Sequence, residues 1–143
     1  MTQLGFYHLT RTTPDAALPG LLERTLAAGE RAVVRCGSSA RVGVLDKALW
    51  GAEWLPHGSA KTGHAGVQPI WLTAVAENPN GARYVFLLDG VETDLGGWER
   101  VFDLFDGGDE AAVLAARGRW ATAKAAGHEL TYWRQSETGW SKG

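Results

Sequence analysis

The strongest constraint on the fold is an alternation of strand-like and helix-like segments in the N-terminal part of the chain. Residues 5–10 are aromatic-rich and predict a strand, and residues 12–15 (TTPD) combine a threonine cap, an early proline and an acidic group, which is typical of a helix start. Residues 31–36 predict a short β-branched strand, followed by a serine cap and a helix over about 39–49. This order favours an α/β fold with a parallel sheet.

The second half of the chain adds further elements. Two apolar runs, 70–76 and 84–88, are separated by turn-forming residues and predict an antiparallel hairpin, which would make the sheet mixed. A helix is predicted over 98–104. An alanine-rich helix then follows the acidic turn at 106–109 and stops at Gly127. The remaining predicted elements are a last strand over 129–134 and a polar tail from about residue 135 that carries Trp140.

Chain length, composition and net charge limit the classes of protein to which this chain can belong. A chain of 143 residues with 45% hydrophobic residues predicts a single domain over 1–143, and the lone Cys36 ends an apolar run, where a small buried residue is expected. No leader pattern and no long apolar stretch is present, so we expect a cytoplasmic protein without a membrane partner. The net charge of -2 argues against tight, direct DNA binding.

Motifs for nucleotide or covalent chemistry are weak. Residues 58–63 (GSAKTG) look like a phosphate loop, but Ala60 stands where a glycine should precede Lys61, and no strand is predicted before it. The glycine fingerprint of a dinucleotide fold is missing after the first strand, and no catalytic triad is apparent. We therefore expect no cofactor and no enzyme activity.

The sequence contains possible metal ligands, but their spacing does not match a known type of metal site. His57 and His64, with Asp46 or Glu53, match no compact ligand spacing. A cluster of four acidic residues precedes or begins the last helix, and turn and cap roles explain it better than a metal site does. Its members are Asp103, Asp106, Asp109 and Glu110. No metal is expected, and a small α/β enzyme that uses these histidines and carboxylates remains the alternative.

One face of the last helix carries a stripe of apolar and basic side chains. Val113, Arg117, Trp120 and Lys124 recur at spacings of four, three and four, so they lie along one face. Such a surface fits a peptide with apolar side chains and a free carboxylate, because a guanidinium bonds a carboxylate at two points. Alternatively, Trp120 belongs to the core and the cations beside it are solvated. Both interpretations stay open.

Several short segments together resemble the DNA polymerase III chi family. They are Phe6-Tyr7-x-Leu9, Leu45-Asp46-x-Ala48-Leu49-Trp50, Leu55-Pro56-His57, the segment at Asp103, and Arg117 with Lys124-Ala125-Ala126-Gly127. The resemblance implies a three-layer α/β/α fold with a mixed, mostly parallel sheet and a nucleotide-binding-like topology without nucleotide binding. It also implies a non-catalytic accessory subunit of the bacterial replicase.

The resemblance further implies a binding site for the acidic, apolar C-terminal tail of single-stranded-DNA-binding protein. Arg117 matches the family's arginine, Trp120 a pocket tyrosine and Phe105 an apolar pocket position. Two lysines of the family fall on Val113 and Ala121, so the patch is less basic here. The tail-binding residues expected from this match are Arg117, Trp120, Phe105, Val113, Lys124 and Arg119.

A second implied surface binds the psi subunit or the clamp loader through the segment after the second helix. Its expected residues are Trp50, Trp54, Leu55, Pro56 and His57. DNA would then be contacted only indirectly. Direct binding of single-stranded DNA, with bases stacked on exposed tryptophans beside Arg and Lys, remains a further alternative.

Overall fold

The computed structural model describes residues 2–51, 55–137 and 139–142. Across these residues there are three helices and eight strands that form one sheet. The helices are α1 (Pro14–Ala27), α2 (Ser39–Trp50) and α3 (Glu110–Ala125), with a 3₁₀ turn at Ala65–Val67. The strands are β1 (Gln3–Leu9), β2 (Ala32–Arg35), β3 (Gly58–Ser59), β4 (Ile70–Thr73), β5 (Tyr84–Leu87), β6 (Arg100–Asp106), β7 (Glu129–Ser136) and β8 (Gly139–Lys142).

The sheet has the order β3-β4-β2-β5-β6-β1-β7-β8, and its neighbours are parallel except for the antiparallel pair β7 and β8. Buried leucines of α1 and α2 pack with one face, and Ala116 and Ala123 of α3 pack with the other. Each fully buried leucine contributes roughly 1.5–3 kcal/mol. The predicted three-layer α/β/α fold with a mixed, mostly parallel sheet is confirmed.

Cap chemistry sets the helix boundaries as the sequence predicts. The side chains of Thr13, Ser38 and Asp109 accept hydrogen bonds from backbone N–H groups in the first turns of α1, α2 and α3. Gly127, just after α3, has φ +84°, a conformation that strongly favours glycine at a helix end. Cys36 is fully buried, as expected.

The predicted hairpin between 70–76 and 84–88 is wrong. β4 and β5 do not pair with each other; they lie on opposite sides of β2, and each is parallel to it. The reason is that β2 is central, with Ala32, Val33 and Val34 all buried, so it pairs on both edges. Turn chemistry between two apolar runs does not reveal which third strand comes between them.

The helix predicted over 98–104 is also wrong, because this segment forms β6 between β5 and β1. Its central residues are all buried, namely Val101, Phe102, Asp103, Leu104 and Phe105. A strand covered on both faces lacks the alternation of apolar and polar residues that identifies a strand. Here tertiary burial, and not local periodicity, decides the type of element.

The C-terminal segment is more ordered than a polar tail suggests. The strand predicted over 129–134 is confirmed and extends to Ser136, and β8 pairs with it beyond the turn. The indole of Trp140 packs edge-on against Tyr7, with ring centroids 5.1 Å apart. Among the described residues, no helix is long and apolar enough to cross a membrane.

Candidate functional site

A shallow cavity of about 250 Å³ lies where α3 crosses the strands β1, β6 and β7. We call it the α3 pocket; it is lined by Phe6, Phe105, Val113, Ala116, Arg117, Trp120 and Tyr132. Four of the residues predicted from sequence meet there: Phe105, Val113, Arg117 and Trp120. The spacing on α3 places three of them on one face, and the parallel neighbours β6 and β1 bring Phe105 beneath.

Trp120 is neither a core residue nor a free surface residue. Its ring contacts Phe6 and Tyr132 in near-perpendicular geometry, with centroid distances of 5.3 and 5.9 Å. Ala116, one turn earlier, is buried against the sheet and lets α3 approach closely. The indole is half-buried, packs against the core cluster on this face of the sheet and also forms a wall of the pocket.

The strands supply pocket residues that the sequence analysis missed. Phe6 and Tyr132 belong to β1 and β7 and line the pocket, and His8 of β1 stacks on Phe105 at 5.0 Å. The imidazole Nδ1 of His8 and the hydroxyl of Tyr132 share a hydrogen bond of 2.5 Å. Phe6 and His8 are two positions apart on β1, so they lie on one face of the sheet. The parallel register of β1 with β7 places Tyr132 on that same face, which is the face covered by α3.

The basic residues of α3 have different surroundings. Arg117 is exposed at the pocket, and Lys124 is exposed in the last turn of α3 outside the pocket. Arg119 points away from the pocket and bonds both carboxylate oxygens of Asp103, at 2.7 and 2.9 Å. Burial raises the pKa of Asp103, and the Arg119 guanidinium opposes that rise. The structure therefore does not bring Arg119 to the other predicted tail-binding residues.

The second predicted surface follows α2. Trp50 is 65% exposed and Pro56 is exposed, whereas Leu55 is buried. Trp54 lies outside the described residues. Trp50 is also the only tryptophan among those with described burial that is classed as exposed, and a groove that stacks successive bases needs several such rings.

His57 supports this surface from beneath and does not point outward. Its side chain is fully buried under the ring of Trp50, with centroids 4.6 Å apart. The two ring nitrogens bond the Asp46 carboxylate at 2.8 Å and the Leu55 carbonyl at 2.7 Å. These partners explain why a histidine is accommodated in this connection.

Most of the groups considered for an enzyme or a metal have other partners, and Glu53 lies outside the described residues. Within the described part of the chain, no cluster of three histidine, cysteine or carboxylate side chains could hold a metal ion. Asp109 caps α3, and Asp106 accepts a hydrogen bond from the Gly108 N–H. Around residues 58–63, the N–H groups of Thr62 and Gly63 bond the Ser59 carbonyl, so these two donors serve a tight turn.

An ion-pair network occupies the carboxyl edge of the sheet, where α/β folds usually bind nucleotides. Arg41 of α2 bonds Asp15 at 2.7 Å and Asp89 at 3.0 Å, and Asp89 also accepts from the Gly37 N–H. Two carboxylates close to this edge disfavour a phosphate group.

Comparison with known families identifies the chain. The family model described as "DNA polymerase III chi subunit, HolC" matches residues 1–131. The match covers β1 to β6, all three helices and the start of β7, while the end of β7 and β8 lie beyond it. No match was found among curated proteins. Because the family model spans most of the sequence, the chain belongs to the family of DNA polymerase III chi subunits, which implies an accessory role in DNA replication.

Proposed function

We propose that this chi-family chain is a non-catalytic adaptor that binds the C-terminal tail of single-stranded-DNA-binding protein in the α3 pocket and links it to the clamp loader. The observation that carries the proposal is the exposed guanidinium of Arg117 beside an aromatic pocket formed by Trp120 and Tyr132. An apolar hole with a cation at its mouth suits the last residue of a peptide, which has both a side chain and a free carboxylate.

Binding would combine apolar burial with a charge-assisted contact. The terminal side chain enters between Trp120 and the floor formed by Phe6 and Phe105, and the α-carboxylate accepts two hydrogen bonds from Arg117. Each hydrogen bond to a charged group contributes roughly 1.5–3 kcal/mol. Loss of the carboxylate charge should therefore weaken binding strongly.

We infer separate roles for the other predicted basic residues from their contacts. Arg119 is engaged by Asp103, so we infer that it anchors α3 and does not bind the tail. Lys124 is exposed at the end of α3, where it would attract an acidic tail at longer range. Val113, about two helical turns before Trp120 on α3, would also contact the terminal side chain in the pocket.

We infer that the clamp-loader side of the adaptor is the surface of Trp50 and Pro56, toward the psi subunit or the clamp loader directly. A large exposed indole is typical of a partner surface, and Pro56, next to the His57 on which that indole packs, is exposed as well. His57 and Leu55 would hold this surface in place from the interior. It lies near β3 and β4, and the α3 pocket lies near β1 and β7, so both partners could bind at once.

The test is a titration of tryptophan fluorescence with a short peptide that copies the C-terminus of the host's single-stranded-DNA-binding protein. The free-acid peptide should bind, and the C-terminally amidated peptide should bind at least about tenfold more weakly. Arg117→Ala should reduce affinity for the free acid to a similar extent. Lys61→Ala removes an exposed cation near the opposite end of the sheet and should leave affinity unchanged. Equal affinity of Arg117→Ala and the unaltered protein would disprove the proposed site.

A further inference from the structure

A second cationic side chain lies on β7 near the α3 pocket, next to His8, although it does not line the pocket itself. Arg134 of β7 is the register partner of His8 of β1 and is exposed. Register partners in parallel strands point to the same face, and Arg134 follows the pocket residue Tyr132 by two positions, which also places both on one face. Arg134 therefore extends over the α3 side of the sheet, beside His8.

His8 is held in place between the pocket and Arg134. Its ring stacks on Phe105 and its Nδ1 is bonded to the Tyr132 hydroxyl. A Cβ at Gly107 would lie 2.5 Å from the His8 ring, so glycine is required for this close approach. The imidazole has little room to change position.

Electrostatics supports the same arrangement. Burial lowers the pKa of His8, and the positive charges of Arg134 and Arg117 lower it further. One imidazole therefore senses both guanidiniums, one from β7 and one from α3. Asp106, at the end of β6, and Asp109, the N-cap of α3, accept hydrogen bonds from nearby backbone N–H groups.

Both arginines are available for a ligand. Among the described residues, neither Arg117 nor Arg134 takes part in an ion pair, whereas Arg119 and Arg41 are paired with carboxylates. Arg117 lines the apolar cavity from α3, and Arg134 lies on β7 beside His8, on the same face of the sheet. This pattern is complementary to a ligand that carries two separate negative charges around an apolar group.

We propose that Arg134, with His8 and the Tyr132 hydroxyl beside it, forms a second carboxylate subsite that binds an acidic side chain of the same peptide whose terminal carboxylate binds Arg117. This inference rests on the proposed function of the α3 pocket. It assigns one carboxylate to each element: the chain terminus to α3 and an upstream acidic side chain to β7. The tail would then cross the pocket from helix to strand.

The experiment separates the two carboxylates with three peptides: the free acid, its C-terminal amide, and a free acid whose Asp and Glu side chains are replaced by Asn and Gln. The proteins are the unaltered chain, Arg117→Gln, Arg134→Gln and the control Lys61→Gln. Arg134→Gln should weaken binding of the free acid about threefold to tenfold, as expected for an exposed cation that bonds a carboxylate. It should have no effect on the peptide with neutral side chains.

The complementary variant should behave in the opposite way. Arg117→Gln should become insensitive to amidation of the terminus but remain sensitive to neutralisation of the acidic side chains. Arg134→Lys should restore part of the affinity, because the charge is retained while the two-point bond is lost. Thermal unfolding of each variant checks that the fold is intact.

Two outcomes would overturn the subsite and are distinguishable. Suppose that the unaltered protein binds the free acid more tightly than the amide, and that Arg134→Gln has the same affinity as the control Lys61→Gln for each of the three peptides. The subsite is then wrong and the proposed function stands. If the unaltered protein binds none of the peptides, the proposed function fails and the subsite fails with it.

Discussion

Asp103 of β6 and Arg119 of α3 form a two-point salt bridge in the interior, with side chains only 4% and 11% exposed. Positions 117 and 119 of a helix differ by about 200° around its axis. The bond that turns Arg119 inward therefore leaves Arg117 on the opposite, open side of α3. One buried pair sets the rotation of the helix and, through it, the side chains that border the α3 pocket.

We predict that Arg119→Ala destabilises the fold by about 3–5 kcal/mol, because it leaves the Asp103 carboxylate buried without a partner. Urea unfolding monitored by circular dichroism measures the effect. Arg117→Ala is the matched control, since it removes an exposed arginine from the same helix and should change stability by at most about 0.5 kcal/mol. The double variant Asp103→Leu/Arg119→Met should recover much of the loss. Similar unfolding midpoints for Arg119→Ala and Arg117→Ala would contradict the anchoring role.

A second prediction concerns pH and His8. Its pKa lies below the usual value in the folded protein, so the unfolded chain takes up the proton more readily. The free energy of unfolding should accordingly be highest above the unfolded pKa of about 6.5 and fall as pH is lowered toward the folded pKa.

The measurement is urea unfolding at about pH 7.5 and about pH 5.5, with His8→Gln as the comparison, because glutamine does not titrate in this range. The loss of stability on acidification should be smaller in His8→Gln than in the unaltered protein. A bound acidic peptide should reduce the same loss, because a carboxylate near His8 favours the protonated ring. An identical pH dependence in both proteins would show that His8 is not responsible.

A third prediction concerns β8, which lies beyond the region matched by the family model. Trp140 packs on Tyr7, whose ring also stacks on Trp133 at 6.4 Å. Trp140→Ala should lower the free energy of unfolding by about 1–3 kcal/mol, less than the loss of a fully buried tryptophan. Trp50→Ala removes a tryptophan that is mostly exposed and should cost much less.

Peptide affinity provides an independent readout for Trp140→Ala. Tyr7, Trp133 and Trp140 belong to the face covered by α1 and α2, and the α3 pocket is on the other face. Tail binding should thus be unchanged at a temperature where the variant is folded. A large loss of affinity without a loss of stability would mean that the aromatic cluster acts on the pocket.

Most of the fold class was predictable because its signals are local. Caps at Thr13, Ser38 and Asp109 and the glycine after α3 act within a turn of the backbone, and they appear where the sequence indicates. The spacing of Val113, Arg117 and Trp120 likewise predicts their common face. Phe6, His8 and Tyr132 could not be assigned to the same site, because they reach it through a parallel pairing of strands that are distant in sequence.

The sequence by itself determined the caps at which α1, α2 and α3 begin, the face of α3 that carries the mixed stripe, and the α/β class of the fold. Tertiary structure alone decided that β2 separates β4 from β5, that residues 100–106 form a strand, and that Arg119, unlike Arg117, is ion-paired within the described residues. The physical reason is the range of the interactions involved. Caps and helical spacing depend on neighbours along the chain, whereas strand pairing, burial and ion pairing depend on groups that only the folded chain brings together.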